Sequence, residues 1–174
     1  MFDAHIRQSF GRRLVAAARL QLPVYVEVST DRATSIQAAI VVLLVGLCNG
    51  VGLIQRLSTF GIVAGVTAAI VGWFLWTGVI SSVAVLLRAP RQGRSLLRAL
   101  GFANAPGVLL GLGIVPAIGP LLRAVVVGWL LAATAVAVQA VFAVSRWRAW
   151  LITLCGFVLY LLVGIASAHW VSTL

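Results

Sequence analysis

The stretch Arg91-Gln92-Gly93-Arg94-Ser95-Leu96-Leu97-Arg98-Ala99-Leu100-Gly101-Phe102-Ala103-Asn104-Ala105-Pro106 decides the fold. It opens as a basic, water-facing segment and turns almost wholly apolar after Arg98. It then runs through Gly107, Gly111 and Gly113 to Pro116, Gly119 and Pro120. Two long apolar segments precede it and two come after it. A bilayer's hydrocarbon core takes about 20 consecutive apolar residues of helix, and each of these segments is about that long. With 62% hydrophobic and 9% charged residues, the chain lies outside the range of soluble domains. The reading is an all-α, polytopic integral membrane protein.

With its neighbours on either side, this stretch makes five transmembrane spans, at about residues 33–55, 61–87, 96–115, 123–144 and 150–168. They form one membrane domain over residues 33–174, preceded by a cytoplasmic helix and linker over residues 1–32. In span one Gly46 and Gly50 stand four apart, which lets another helix approach closely. Gly61, Gly65 and Ala69 place a second small-residue stripe on span two. In span three, Pro106 leaves only about 14 Å of ordinary helix before Pro116, too little to cross unaided. Either the helix continues through Pro106 with a kink or it breaks there and turns back. Gly107 and Gly111 offer close contacts in both cases, and Pro116 to Pro120 forms a turn.

Before the spans, Phe2, Ile6, Phe10, Leu14, Ala17 and Leu20 share one face of a helix, with Gln8, Ser9, Arg12 and Arg19 opposite. This predicts an amphipathic helix lying at the membrane interface over residues 1–22, with Arg13 at the edge of its apolar face, its head reaching lipid phosphate. Pro23 ends that helix. The β-branched residues beyond it predict an extended linker in which Glu27 pairs with an arginine and Asp31 caps span one.

All thirteen basic residues are arginine, and the formal charge is +10. They sit in short loops beside apolar runs, where positive charge sets topology, so nucleic acid is not an expected partner. Five spans put Arg7, Arg12, Arg13, Arg19, Arg32, Arg88, Arg91, Arg94, Arg98, Arg146 and Arg148 on one side. Only Arg56 and Arg123 fall on the other. The N-terminus is then cytoplasmic and the C-terminus outside, in an inner (plasma) membrane. A re-entrant span three moves Arg123 inside and Arg146 and Arg148 outside, and charge counting barely separates the two.

Two places in the sequence resemble the Yip-domain family of Ypt-interacting membrane proteins, in its short bacterial form. One is Pro23-Val24-Tyr25-Val26-Glu27-Val28 with Asp31, Arg32, Ala33, Thr34 and Ala38. The other is Leu100-Gly101-Phe102-Ala103-Asn104-Ala105-Pro106 with the glycine-rich run to Pro116 and Pro120. The resemblance covers nearly the whole chain from Pro23. It implies a five-helix bundle with a cytoplasmic N-terminus, and so favours five spans. Eukaryotic relatives engage small GTPases in membrane traffic. This chain lacks their Asp-Leu-Tyr-Gly-Pro signature and has no long cytoplasmic domain, which argues against a small GTPase as its partner.

The chemistry-bearing inventory is thin. The acids are Asp3, Glu27 and Asp31, all before span one, which leaves no carboxylate in the membrane for a proton relay or metal site. His5 and His169 lie at opposite ends. Cys48 and Cys155 sit within apolar runs as small hydrophobes. No catalytic residues, cofactor or metal site are expected. Asn49, Asn104 and Gln139 are the centrally placed polar residues, suited to interhelical hydrogen bonds or to the lining of a substrate path.

The expected role is a non-catalytic scaffold or accessory subunit, with a small transporter or channel as the alternative. Its expected partners are anionic lipid headgroups and another membrane protein or a second copy. The arginines expected to meet them are Arg88, Arg91, Arg94, Arg98, Arg146 and Arg148.

Overall fold

The computed structural model describes residues 9–57, 60–90, 92–115 and 119–172, with side chains for all of these except 53–57, 114 and 163–172. Arg91 and Pro116 therefore lie outside the described residues, as do His5 and the first eight residues of the expected interfacial helix. The side chain of His169 does too.

Seven α-helices and one tight helix make up the described chain: α1 Phe10–Ala18, α2 Leu22–Thr30, α3 Thr34–Leu57, α4 Phe60–Leu86, α5 Gly93–Ala103, a 3-10 helix Ala105–Ile114, α6 Gly119–Phe142 and α7 Arg146–Ser172. Among the described residues, four spans are long and apolar enough to cross a membrane: Thr34–Gly52, Phe60–Leu86, Gly93–Gly113 and Gly119–Phe142. The 27-residue α7 comes after them.

The helices α3 and α4 pack as an antiparallel pair and share the most extensive interface of the bundle. Glycine makes that approach possible. A Cβ on Gly46 would lie 2.8 Å from the Val66 Cα, and one on Gly50 would lie 2.6 Å from the Ile62 Cα. From the other side, a Cβ on Gly65 would lie 2.5 Å from the Gly50 nitrogen. The two small-residue stripes thus face each other within one chain.

Span three does not turn back. Along it, Gly101 lies against Ala38, Gly107 against Val45 and Gly111 against Cys48, so it advances parallel to α3 without reversing. Pro106 ends the α-helical part because it has no N–H to donate. At this break the Asn104 amide Nδ2 donates to the Leu100 carbonyl at 2.8 Å, and the Gly107 N–H donates to the Asn104 carbonyl at 2.8 Å. The chain continues as a 10-residue 3-10 helix rather than a kinked α-helix. A 3-10 helix rises about 2.0 Å per residue against about 1.5 Å, so this segment gains the length that an α-helix would lack. Side chains three apart eclipse in such a helix. Two of its three columns alternate small and large residues (Gly107, Leu110, Gly113 and Ala105, Val108, Gly111), which relieves the crowding.

The N-terminal region differs from the expected single helix and extended linker. α1 ends at Ala18, and Leu20 adopts φ 59°. Leu20 N–H bonds the Ala17 carbonyl and Gln21 N–H bonds the Ala16 carbonyl, reversing the chain. Pro23 does not end α1; it sits in the first turn of α2, where its missing N–H costs nothing. The resulting α1–α2 hairpin docks on α5 and α6 instead of lying alone at an interface. Val24, Tyr25 and Val28 join the core, and the Tyr25 hydroxyl donates to the Ala17 carbonyl at 2.9 Å. Trp129 of α6 donates to the Ala18 carbonyl at 2.8 Å. Burial raises the Tyr25 pKa well above the usual phenol range.

Span boundaries shift as well. Pro90 lies ahead of α5, which starts at Gly93 with Gln92 at its cap. Gly119 and Pro120 are not part of a turn but open α6. α7 begins at Arg146, not at Trp150, with the Ser145 carbonyl accepting from the Ala149 N–H at 3.0 Å.

Candidate functional site

One end of the bundle collects the C-termini of α4 and α6 and the N-termini of α5 and α7. Arg88, Arg94, Arg146 and Arg148 lie exposed there. Arg88 takes φ 62° where α4 ends. Arg148 donates to the Leu87 carbonyl at 3.0 Å, closing the end of α4. Arg94 and Arg146 fall in the first turns of α5 and α7. A cation at a helix N-terminus opposes the macrodipole, at a cost of about 0.3–1 kcal/mol each.

Arg98 does not belong to that exposed set. It is 9% exposed, and its guanidinium donates to the Val28 carbonyl at 3.3 Å and to the Ser29 carbonyl. It thereby caps the C-terminus of α2, where carbonyls lack helical partners and a cation is favoured. The α1–α2 hairpin is what consumes it, and no sequence spacing announces that contact.

Arg13 does not reach for lipid phosphate but turns inward. It is 3% exposed and bonds Glu27 Oε1 through Nε at 3.1 Å and through Nη2 at 2.6 Å. Its Nη1 donates to Gln37 Oε1 at 3.0 Å, and its Nη2 lies 3.5 Å from Asp31 Oδ2. Asp31 Oδ1 also accepts from the Ala33 N–H at 2.9 Å, at the start of α3. One buried guanidinium thus occupies both described carboxylates and ties α1, α2 and α3 together. The exposed arginines at the basic end are left with no acidic partner among the described residues.

Beside this end, a groove of about 320 Å³ runs between the start of α2, α6 and the first turns of α7. Ala132, Ala135 and Val136 form its apolar wall, while Gln139, Arg146 and Trp150 stand along it. Gln139 therefore joins the basic end and not the two central asparagines.

Midway along the spans lies a second feature. α4 and α6 barely touch, and a cavity of about 350 Å³ opens between them at the Asn104–Pro106 break. Asn49 and Asn104 both line it, with Trp73 and Trp76 from α4, Thr134 from α6 and Tyr160 from α7. The Trp76 indole is 3.4 Å from the Thr134 hydroxyl and packs edge-on to Tyr160, with ring centroids 5.7 Å apart. The asparagines were legible in sequence as intramembrane polar residues. The aromatic wall was not, because it is assembled from two helices distant in the chain.

Among the described residues, no three of His, Cys, Asp and Glu come together as a metal site, and Cys48 and Cys155 are free thiols.

Helices of this length and hydropathy, packed through glycine, define a multi-pass helical membrane protein. The Yip1 domain family model matches residues 23–168, and the chain belongs to that family. It is a family of generally non-enzymatic membrane proteins. No curated protein and no solved structure matches the chain.

Proposed function

We propose that this protein is a non-catalytic scaffold or accessory subunit whose basic end faces the cytoplasm. In this reading it sits in a bacterial inner membrane with its N-terminus inside and its C-terminus outside. The basic end binds anionic lipid headgroups together with the acidic surface of another membrane protein. One observation carries the reading: Arg88, Arg94 and Arg146 are exposed with no acidic partner among the described residues, and two of them sit at helix N-termini that disfavour a cation. Residues placed against local stability point to an anion supplied from outside the chain. The groove beside Arg146 adds an apolar wall for an acyl chain next to a cation for its phosphate. Each basic residue near an anionic surface contributes about 1 kcal/mol.

The test is a variant with Arg88, Arg94 and Arg146 all changed to Gln. It is expected to insert and melt like the parent while losing its preference for anionic lipid and the proteins that co-purify with it in mild detergent. Unchanged lipid preference and partners, insensitive to salt, would confine these charges to topology. A second reading, a small transporter, draws on the broken third span and the cavity beside it. Solute flux by the purified chain in liposomes would support it.

A further inference from the structure

The cavity between α4 and α6 presents a chemical problem that a membrane does not solve by itself. It is lined by residues 68–76 of α4 and 127–134 of α6, far from the ends of both helices. Ala68 and Val127, at its edge, are exposed on the outer surface of the bundle, so its mouth opens sideways toward hydrocarbon. Yet it holds polar groups without partners. The Asn49 amide and the Tyr160 hydroxyl make no hydrogen bond among the described residues. Asn104 spends its Nδ2 on the Leu100 carbonyl, and its Oδ1 accepts no hydrogen bond among the described residues. Water is scarce at this depth, and an unsatisfied polar group in hydrocarbon is costly.

We propose that this cavity binds an uncharged, lipid-soluble ring compound carrying a carbonyl or hydroxyl group, of the quinone class. A saturated acyl chain would fill the space and leave Asn49, Asn104 and Tyr160 unsatisfied. A ring carbonyl accepts from the Asn49 N–H and the Tyr160 O–H, and a ring hydroxyl donates to the Asn104 Oδ1. The walls suit a flat ring: Trp73, Trp76, Phe157 and Tyr160 surround the space, and aromatic pairs favour offset or edge-on contact. No charged side chain lines the cavity among the described residues, which disfavours an ionic ligand. A volume of about 350 Å³ falls within the range of small-molecule sites. The site does not depend on docking at the basic end, and either assignment can fail without the other.

The experiment uses the full chain in nanodiscs of zwitterionic phospholipid with decyl-benzoquinone as the probe. Trp73 and Trp76 report binding through fluorescence quenching. The parent is expected to show a saturable component above the linear quenching caused by quinone dissolved in the bilayer. Gly72 lines the cavity, and a Cβ added there would meet nothing within 4 Å, so Gly72→Leu fills the space and removes the saturable component. Asn49→Leu keeps the volume and weakens binding about tenfold, the loss of one hydrogen bond to a ring carbonyl. Decylcyclohexane, which has a similar size but neither the carbonyls nor the flat ring, is expected not to displace the quinone. If Gly72→Leu fails to assemble, Val127→Trp at the exposed mouth provides the blocking variant. Purely linear quenching in the parent overturns the proposal, as does saturable quenching that survives the blocking variant. Displacement by decylcyclohexane as readily as by quinone also overturns it, and makes the cavity a groove for lipid tails.

Discussion

Gly65 is where one added carbon should do the most damage. A Cβ there would lie 2.5 Å from the Gly50 nitrogen, 2.6 Å from the Gly46 carbonyl oxygen and 2.6 Å from the Gly50 Cα. All three atoms are backbone, so no side chain can rotate away. Ordinary contact needs about 3.5–4.0 Å, and relieving the clash requires α3 and α4 to separate by about 1 Å along their shared face. Overpacking of this kind costs about 1–3 kcal/mol, and the upper half of that range is expected because the α3–α4 interface is the largest in the bundle. Gly78 of α4 is the control. Nothing lies within 4 Å of its added Cβ, and alanine is the better helix former there by up to about 1 kcal/mol. Unfolding in mixed micelles should therefore show Gly65→Ala destabilised by about 2 kcal/mol and Gly78→Ala unchanged or slightly more stable. Equal stability of Gly65→Ala and the parent would refute the close helix crossing.

The same geometry carries further expectations. Arg13→Met strands Glu27 and Asp31 without their guanidinium and should cost about 3–5 kcal/mol, with protease cleavage appearing between α1 and α2. Arg98→Met removes the cap of α2 and should cost about 1–3 kcal/mol in the same unfolding assay. Ala143 ends α6 at φ 50°, so Ala143→Gly should raise stability by about 1 kcal/mol. Tyr25 stays protonated when folded to a higher pH than when unfolded. Its contribution is therefore complete below about pH 10 and is lost as pH rises beyond that; Tyr25→Phe should flatten this part of the pH profile. With Cys48 and Cys155 replaced by alanine, cysteines placed at 121 and 146 should label from opposite sides of the membrane, and labelling from the same side would refute the crossing of α6.

Read alone, the sequence determined the class of protein. Runs of about 20 apolar residues have one stable destination, and helices satisfy their own backbone there, so an all-α membrane protein was legible from composition and run length. The spacing of Gly46, Gly50, Gly61 and Gly65 marked two close-packing stripes, and Pro106 marked a break, because both depend on local backbone chemistry. Other features depended on contacts between distant residues. Whether span three reversed or ran on was decided by its parallel register along α3, from Ala38 to Cys48. β-Branched residues at 24, 26 and 28 suggested extended chain, but burial of Val24, Tyr25 and Val28 against α5 and α6 outweighs that weak propensity and makes α2 a helix. The fates of Arg13 and Arg98 were likewise tertiary. A charge pattern shows where arginines sit along a helix, but not that Glu27, 14 residues away, or the Ser29 carbonyl, 69 residues away, will claim them. The ring-lined cavity exists only because α4 and α6 are held apart, and that separation is a property of the packed bundle.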